Sequence, residues 1–178
     1  MIDARIPFST DGNLGKAYNR AVAESQSEWV LLLDHDVLIL HPNWRHLCER
    51  VILDNPDAGL FTCWASKIGS PVQQALMQPA QNAPMRDHRA FARATFHKYG
   101  YTVSRLTPFH CKTSGFFLLV KKEAWRGAKD GFFGVDWNLK DRITHAGYSV
   151  YRIDGLYCFH LKDREGSWVD NIKTSKDF

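Results

Sequence analysis

The sequence predicts an α/β fold, a single domain with a mostly parallel central sheet flanked by helices. Three observations carry that expectation. Strand-like and helix-like stretches alternate along the chain. The strongest apolar run, Trp29–Leu33, is continuous rather than alternating, as in a strand covered on both faces. That run then stops abruptly at acidic residues, at the kind of strand end where α/β sheets hold ligands.

Taken in order, Asn13-Leu14-Gly15 opens a helix. Leu14, Ala17, Tyr18, Ala21 and Val22 recur at helical spacing on one face, with Lys16, Asn19, Arg20 and Glu24 opposite. Ser25-Gln26-Ser27 ends it, and the strand Trp29–Leu33 follows. Residues 37–40 are apolar again, and His41-Pro42-Asn43 breaks the chain before a helix over Trp44–Asp54. A strand is expected over 58–63, a loop rich in Gln, Pro, Ser and Gly over 65–84, and a basic surface helix over 86–98. A second buried strand spans 116–120, followed by a short helix through Trp125 and a glycine-rich turn over 127–134. Residues 136–145 read as a helix closed by Gly147. Strands over 148–153 and 156–159 flank Asp154-Gly155, a turn signal. Beyond His160 the tail is polar and poorly patterned.

A chain of 178 residues suffices for one core. Its 44% hydrophobic and 24% charged residues are ordinary for a soluble globular domain. The net charge of +4 suits an anionic ligand such as a nucleotide diphosphate. No block of like charges appears, which argues against nucleic acid as the main partner. Cys48, Cys63, Cys111 and Cys158 lack any C-x-x-C pairing and read as thiols in a reducing compartment. Residues 1–8 carry charges and a proline without an apolar h-region, and no apolar run is long enough to span a bilayer. The expected location is cytoplasmic, with peripheral membrane association as the variant that a basic chain allows.

Asp34-His35-Asp36 is the first candidate for chemistry. Carboxylates at i and i+2 in extended chain share one side, and their repulsion is relieved by a cation between them. Carboxylate oxygens suit Mg²⁺ or Mn²⁺. Two solvated acids at a strand end would give the same tripeptide.

Four segments in order extend the pattern. They are Asn13-Leu14-Gly15-Lys16-Ala17-Tyr18-Asn19, Trp29 to Asp36, Thr113-Ser114-Gly115-Phe116-Phe117, and Gly134-Val135-Asp136-Trp137-Asn138-Leu139 with Arg142, Ala146, Gly147 and Tyr148. Together they resemble the GT-A-fold glycosyltransferases, especially the large inverting family-two type, over about residues 8 to 160. The resemblance implies a GT-A-like (Rossmann-like) domain and a metal-dependent transfer of sugar from a nucleotide diphosphate, with a UDP-sugar favoured, to a carbohydrate or other hydroxyl acceptor. It implies that Asp36 ligates Mn²⁺ or Mg²⁺, with His160 as a later ligand. Asp34 would hold ribose or sugar hydroxyls, or the metal's waters. Asp136 would be the general base that takes the acceptor proton. Asn13, Gly15, Lys16, Ser114 and Gly115 would lie along the donor, and Lys162 and Arg164 would fold over its phosphates. Val135 and Asn138 replace acids usual in the family, so the cluster around Asp136 is thinned. A helix N-cap is the competing role for Asp136.

Ser9-Thr10-Asp11-Gly12 echoes a segment of the same family, but the region that normally follows it before the asparagine-glycine helix is absent. The expectation is a domain reduced at the N-terminus with a weak base pocket, or a pocket completed by a partner chain or a homo-oligomer. The 65–110 insert, with Phe91, Phe96, Tyr99 and Tyr101, is the candidate for acceptor recognition. Two other readings stand beside this one. The helix and D-x-D portion also resembles the retaining polypeptide N-acetylgalactosaminyltransferases, and a weakly catalytic sugar-nucleotide or carbohydrate-binding module would keep the same motifs.

Overall fold

The computed structural model describes residues 1–106, 112–132 and 134–161. Seven strands form one sheet: β1 (Ile2–Arg5), β2 (Trp29–Leu33), β3 (Val37–Ile39), β4 (Ala58–Ala65), β5 (Val103–Arg105), β6 (Phe117–Lys121) and β7 (Ser149–His160). The helices are α1 (Leu14–Glu24), α2 (Trp44–Asp54), α3 (Met85–Tyr99) and α4 (Leu139–His145), with a short 3-10 turn at Lys122–Ala124.

The α/β class holds, but the mostly parallel sheet does not. The order is β1-β2-β6-β4-β7-β3, with β5 also on β7. Only β1–β2 and β4–β7 are parallel; β2–β6, β4–β6, β3–β7 and β5–β7 are antiparallel. The physical reason is that a continuous apolar run reports burial on both faces, not strand direction. β6 is as buried as any parallel strand and runs against both neighbours.

Alternate side chains of each central strand enter separate cores. Trp29 and Leu31 of β2, with Phe117 and Leu119 of β6, face Leu47 and Val51 of α2. Val30, Leu32, Leu118 and Val120 face Tyr18 and Val22 of α1 and Leu139 and Ile143 of α4. Each of these large side chains contributes about 1.5–3 kcal/mol of burial, so the central strands are the most strongly held part of the fold. Cys48, Cys63 and Cys158 are buried free thiols, as expected, with the Cys63 and Cys158 sulfurs 3.5 Å apart. Burial pushes the Cys48 and Cys63 thiols up, away from the reactive thiolate. Cys111 lies outside the described residues.

Several local expectations change. The basic helix forms at Met85–Tyr99, but its inner face (Met85, His88, Ala92, Thr95) is buried rather than solvated. The helix expected from Asp136 begins only at Leu139, because Gly134 in a left-handed conformation starts two successive turns, Trp137 N–H to Gly134 O and Leu139 N–H to Asp136 O. Gly147, also left-handed, follows the helix end as expected. β1 and β5 are strands that the pattern did not announce.

The expected turn at Asp154-Gly155 is absent, and β7 runs through it for twelve residues. One edge of β7 is shared: β5 pairs with Tyr151–Ile153 and β3 with Cys158–His160. Gly155 falls in the gap between them, where the end of α3 abuts the strand. A Cβ on Gly155 would sit 1.9 Å from the Gly100 carbonyl oxygen, so the glycine serves a close approach, at a place where β7 also breaks register with β4 between Ile153 and Tyr157. Gly155→Ala is expected to destabilise the protein by about 2–3 kcal/mol, read from the urea midpoint at unchanged slope. Gly69→Ala, at a position with open space around it and no left-handed backbone, is expected to cost less than half as much.

Candidate metal and catalytic site

β2 ends in open chain at Asp34, whose N–H still donates to Phe116 O at 3.0 Å. The chain then turns, with Val37 N–H to Asp34 O, and enters β3. Asp34 and Asp36 therefore sit in a tight turn and not the extended chain expected from the sequence. They nevertheless converge, with exposed His35 pointing away from the pair's burial. Pairing of β3 with β7 sets Val37 opposite His160, and Leu161 N–H closes on Asp36 O at 2.8 Å. One ligand atom each from Asp34, Asp36 and His160 lies within 4.8 Å of the others. Two carboxylates and an imidazole at that spacing are a donor set that fits Mn²⁺ or Mg²⁺.

His160 is fixed at both ring nitrogens. Nδ1 is 2.8 Å from the Lys67 carbonyl, which only accepts, so Nδ1 carries a hydrogen. Nε2 is thereby directed to Asp36, 3.2 Å from Oδ1. Ser66 Oγ accepts the His160 N–H at 3.0 Å. A backbone carbonyl on the far nitrogen is the arrangement that orients a metal-binding histidine.

The charges respond to one another. Burial disfavours the charge on His160, but the hydrogen bond and charge of Asp36 outweigh it and hold the imidazole above its ordinary value. Burial likewise works against Asp36, and His160 outweighs it, leaving that carboxyl below the usual range. On Asp34 the attraction of His160 is outweighed. Burial first, then the Asp36 charge, push its carboxyl up.

Asp136 belongs to the same assembly. Its charge, with that of Asp34, adds to burial in pushing up the Tyr18 hydroxyl. Its Oδ2 accepts the Gly115 N–H at 2.7 Å, so the carboxylate reaches across to the loop before β6, and the N-cap position of α4 falls to Asn138. A Cβ on Gly115 would lie 2.8 Å from the Tyr18 hydroxyl and 3.2 Å from Asp136 Cβ, which is why a glycine stands there. A cleft of about 460 Å³ opens beside it, lined by Lys67, Ile68, Gly69, Gln74, Ser114, Asp136 and Trp137. Trp137 is 51% exposed, with Lys112 Nζ 4.1 Å from its ring centre.

The remaining donor candidates fall elsewhere. Asn13 caps α1: its Oδ1 accepts the Lys16 N–H at 2.9 Å and the Gly131 N–H at 3.0 Å. Gly15 packs on the same loop, a Cβ there meeting the Lys129 carbonyl oxygen at 1.9 Å, and its N–H donates to Gly131 O. Asn13 and Gly15 thus bind α1 to the glycine-rich segment. Lys16 lines a second groove of about 390 Å³ with Phe8, Ser9, Thr10, Asp11 and Arg20, apart from the cleft of Asp136. Lys162 and Arg164 lie outside the described residues. Of the insert aromatics, Phe91 packs on Tyr157 and Phe96 on His41 and Tyr101, while Tyr99 and Tyr101 are partly exposed.

Sequence reasoning missed the glutamines of the insert. Buried Gln73 clips Ser114 at both backbone groups, accepting its N–H at 2.6 Å and donating to its carbonyl at 3.1 Å. It also donates to Thr62 Oγ1 at 2.6 Å. Gln81 donates to the His160 carbonyl at 2.6 Å, and Gln78 to that of Ser66. The richness in glutamine was visible in the sequence; its partners were not, because they are scattered over β4 and the residue after it, the loop before β6 and the end of β7.

No family model matches the chain, and no curated protein matches it. Among solved structures, one described as "Crystal Structure of a Mycobacterial Protein" aligns over 94% of this chain with a TM-score of 0.46 and 16% identity. The alignment takes in 49% of that structure, so this chain spans about half its length.

Gln73→Ala would strand both Ser114 backbone groups, and a cost of about 2–3 kcal/mol is expected in urea denaturation. A cost below about 0.5 kcal/mol would show that the loop before β6 holds its place without the clip.

Proposed function

We propose that the protein is a metal-dependent glycosyltransferase that moves a sugar from a nucleotide diphosphate donor to an acceptor hydroxyl with inversion. The observation that carries this reading is the convergence of Asp34, Asp36 and His160, from opposite ends of the sequence, beside a cleft lined by Asp136. The four motif segments singled out in the sequence support it, since three of them meet at this place and the first packs behind it.

In this reading Asp36 and His160 hold the cation and Asp34 completes the set or orients its waters. When bound, the cation neutralises charge on the departing diphosphate. Asp136 takes the proton of the acceptor hydroxyl as that oxygen bonds to the anomeric carbon and the bond to the donor phosphate oxygen breaks. Gly115, by its N–H on Oδ2, sets the direction of the Asp136 carboxylate. The cleft between Asp136 and Trp137 receives the acceptor, and Trp137 offers a half-exposed ring to a sugar face. A UDP-sugar is the donor class put forward.

The experiment is calorimetric titration of UDP with Mn²⁺, paired with hydrolysis of a panel of UDP-sugars. Asp36→Ala is expected to abolish Mn²⁺-dependent nucleotide binding. Asp136→Asn is expected to keep binding and lose about 10²–10⁴-fold in turnover. Binding by Asp36→Ala equal to the parent's would overturn the metal assignment, and full turnover by Asp136→Asn the base. The anomer of the product, read by NMR, checks inversion.

A pH dependence follows from His160. With its value raised, the imidazole stays protonated to higher pH than usual, and a proton on Nε2 blocks that ligand. Mn²⁺ affinity should therefore rise with pH through and above the ordinary histidine range. His160→Gln is expected to weaken binding and flatten that rise.

A further inference from the structure

The chain carries a net charge of +4, and α3 alone holds four cations, Arg86, Arg89, Arg93 and Lys98, against one acid, Asp87. All four cations are exposed. Positions 86, 89 and 93 follow helical spacing and form one stripe, set roughly 100° round the helix from the buried face on Met85, His88 and Ala92. Arg86 meets Asp87 only at 3.8 Å, with both side chains exposed. Arg89 and Arg93 form no ion pair among the described residues. A positive field is thus concentrated along one exposed flank of the helix.

The loop before this helix adds apolar surface. Ala75 packs with Ala92 and Phe91, and His88 Nε2 bonds Ala80 O, so the loop lies along α3. At its tip Leu76 and Met77 are 81% and 97% exposed. Met77 has a backbone φ of 58°, a left-handed conformation that costs energy for a residue with a Cβ. Tyr99 and Tyr101, part-exposed, stand at the other end of the helix.

We propose that this face docks on an anionic lipid surface, with the arginine stripe on the headgroups and Leu76 and Met77 entering the interface. Charge complementarity selects an anionic partner. The exposed apolar pair and the tyrosines select a bilayer over a nucleic acid, since only an interface rewards both kinds of side chain. Near its first turn α3 touches Tyr157 and Phe159, just before His160. The proposal does not depend on sugar transfer.

The test is co-sedimentation of the full chain with phosphatidylcholine vesicles, with and without phosphatidylglycerol, at low and high salt. Binding is expected only with phosphatidylglycerol and is weakened by salt. At about fivefold per cation near an anionic leaflet, Arg89→Glu/Arg93→Glu should lose about 25-fold or more. Leu76→Asp/Met77→Asp should lose at least about fivefold while keeping the parent's melting curve. Should the glutamate pair not fold, Arg89→Gln/Arg93→Gln serves, with a smaller loss. The proposal is overturned by equal binding to both vesicle types, by no binding, or by arginine variants that bind as the parent does. It is also overturned if the aspartate pair binds as the parent does while an oligonucleotide competes fully, which would mark the face as a nucleic-acid site.

Discussion

The two hydrogen-bonded contacts of the His160 ring are the constraint on which the site depends. One nitrogen is tied to a carbonyl in the loop after β4, the other to a carboxylate in the turn after β2. Those two segments belong to strands that do not pair with each other; β7 reaches both because it is long and shares an edge with β3. If β7 were broken at Gly155, as its sequence suggests, His160 would have no fixed relation to Asp36. The length of one strand thus converts three separate residues into a cluster.

The environment then divides the labour of the two acids. Asp36 has an imidazole hydrogen-bonded to it and is held below the usual carboxylate range, whereas on Asp34 burial and the like charge of Asp36 outweigh the pull of His160. Neighbouring carboxylates pushed in opposite directions are a recurrent mark of sites that handle charge. Here the imbalance leaves a place whose like charges a divalent cation would relieve, as the proposed function requires.

The fold was legible in the sequence where periodicity or burial decided the element. α1, α2, β2 and β4 fall close to expectation because Leu14 to Val22, and Trp29 to Leu33, state their environment directly. Direction was not legible: nothing in Phe117 to Val120 tells an antiparallel strand from a parallel one when both faces are covered. Asp154-Gly155 misled because a glycine that gives room to another backbone looks like a glycine that turns. In the site, the acids and His160 were visible as residue types at strand ends. Gln73 was not, since an amide that clips Ser114 looks in sequence like any loop glutamine. Lys16, read as a phosphate ligand from its place at a helix start, lines a different groove because α1 is turned by its packing on Gly131 and Ala128.

The glutamine clips have a further consequence for how this chain can change over time. The segment from Ser66 to Pro84 joins the sheet through an isolated bridge, through contacts of Ser66, Lys67 and Val72 with β7, and through amide side chains, rather than through a ladder. Its backbone is therefore released from strand register, which elsewhere ties every residue to a neighbour two positions away. Substitutions, and even insertions, between the clipped positions alter the wall of the cleft without shifting the strands that carry the acids. The framework and the surface that meets other molecules can diversify at separate rates, with three glutamines as the seam between them.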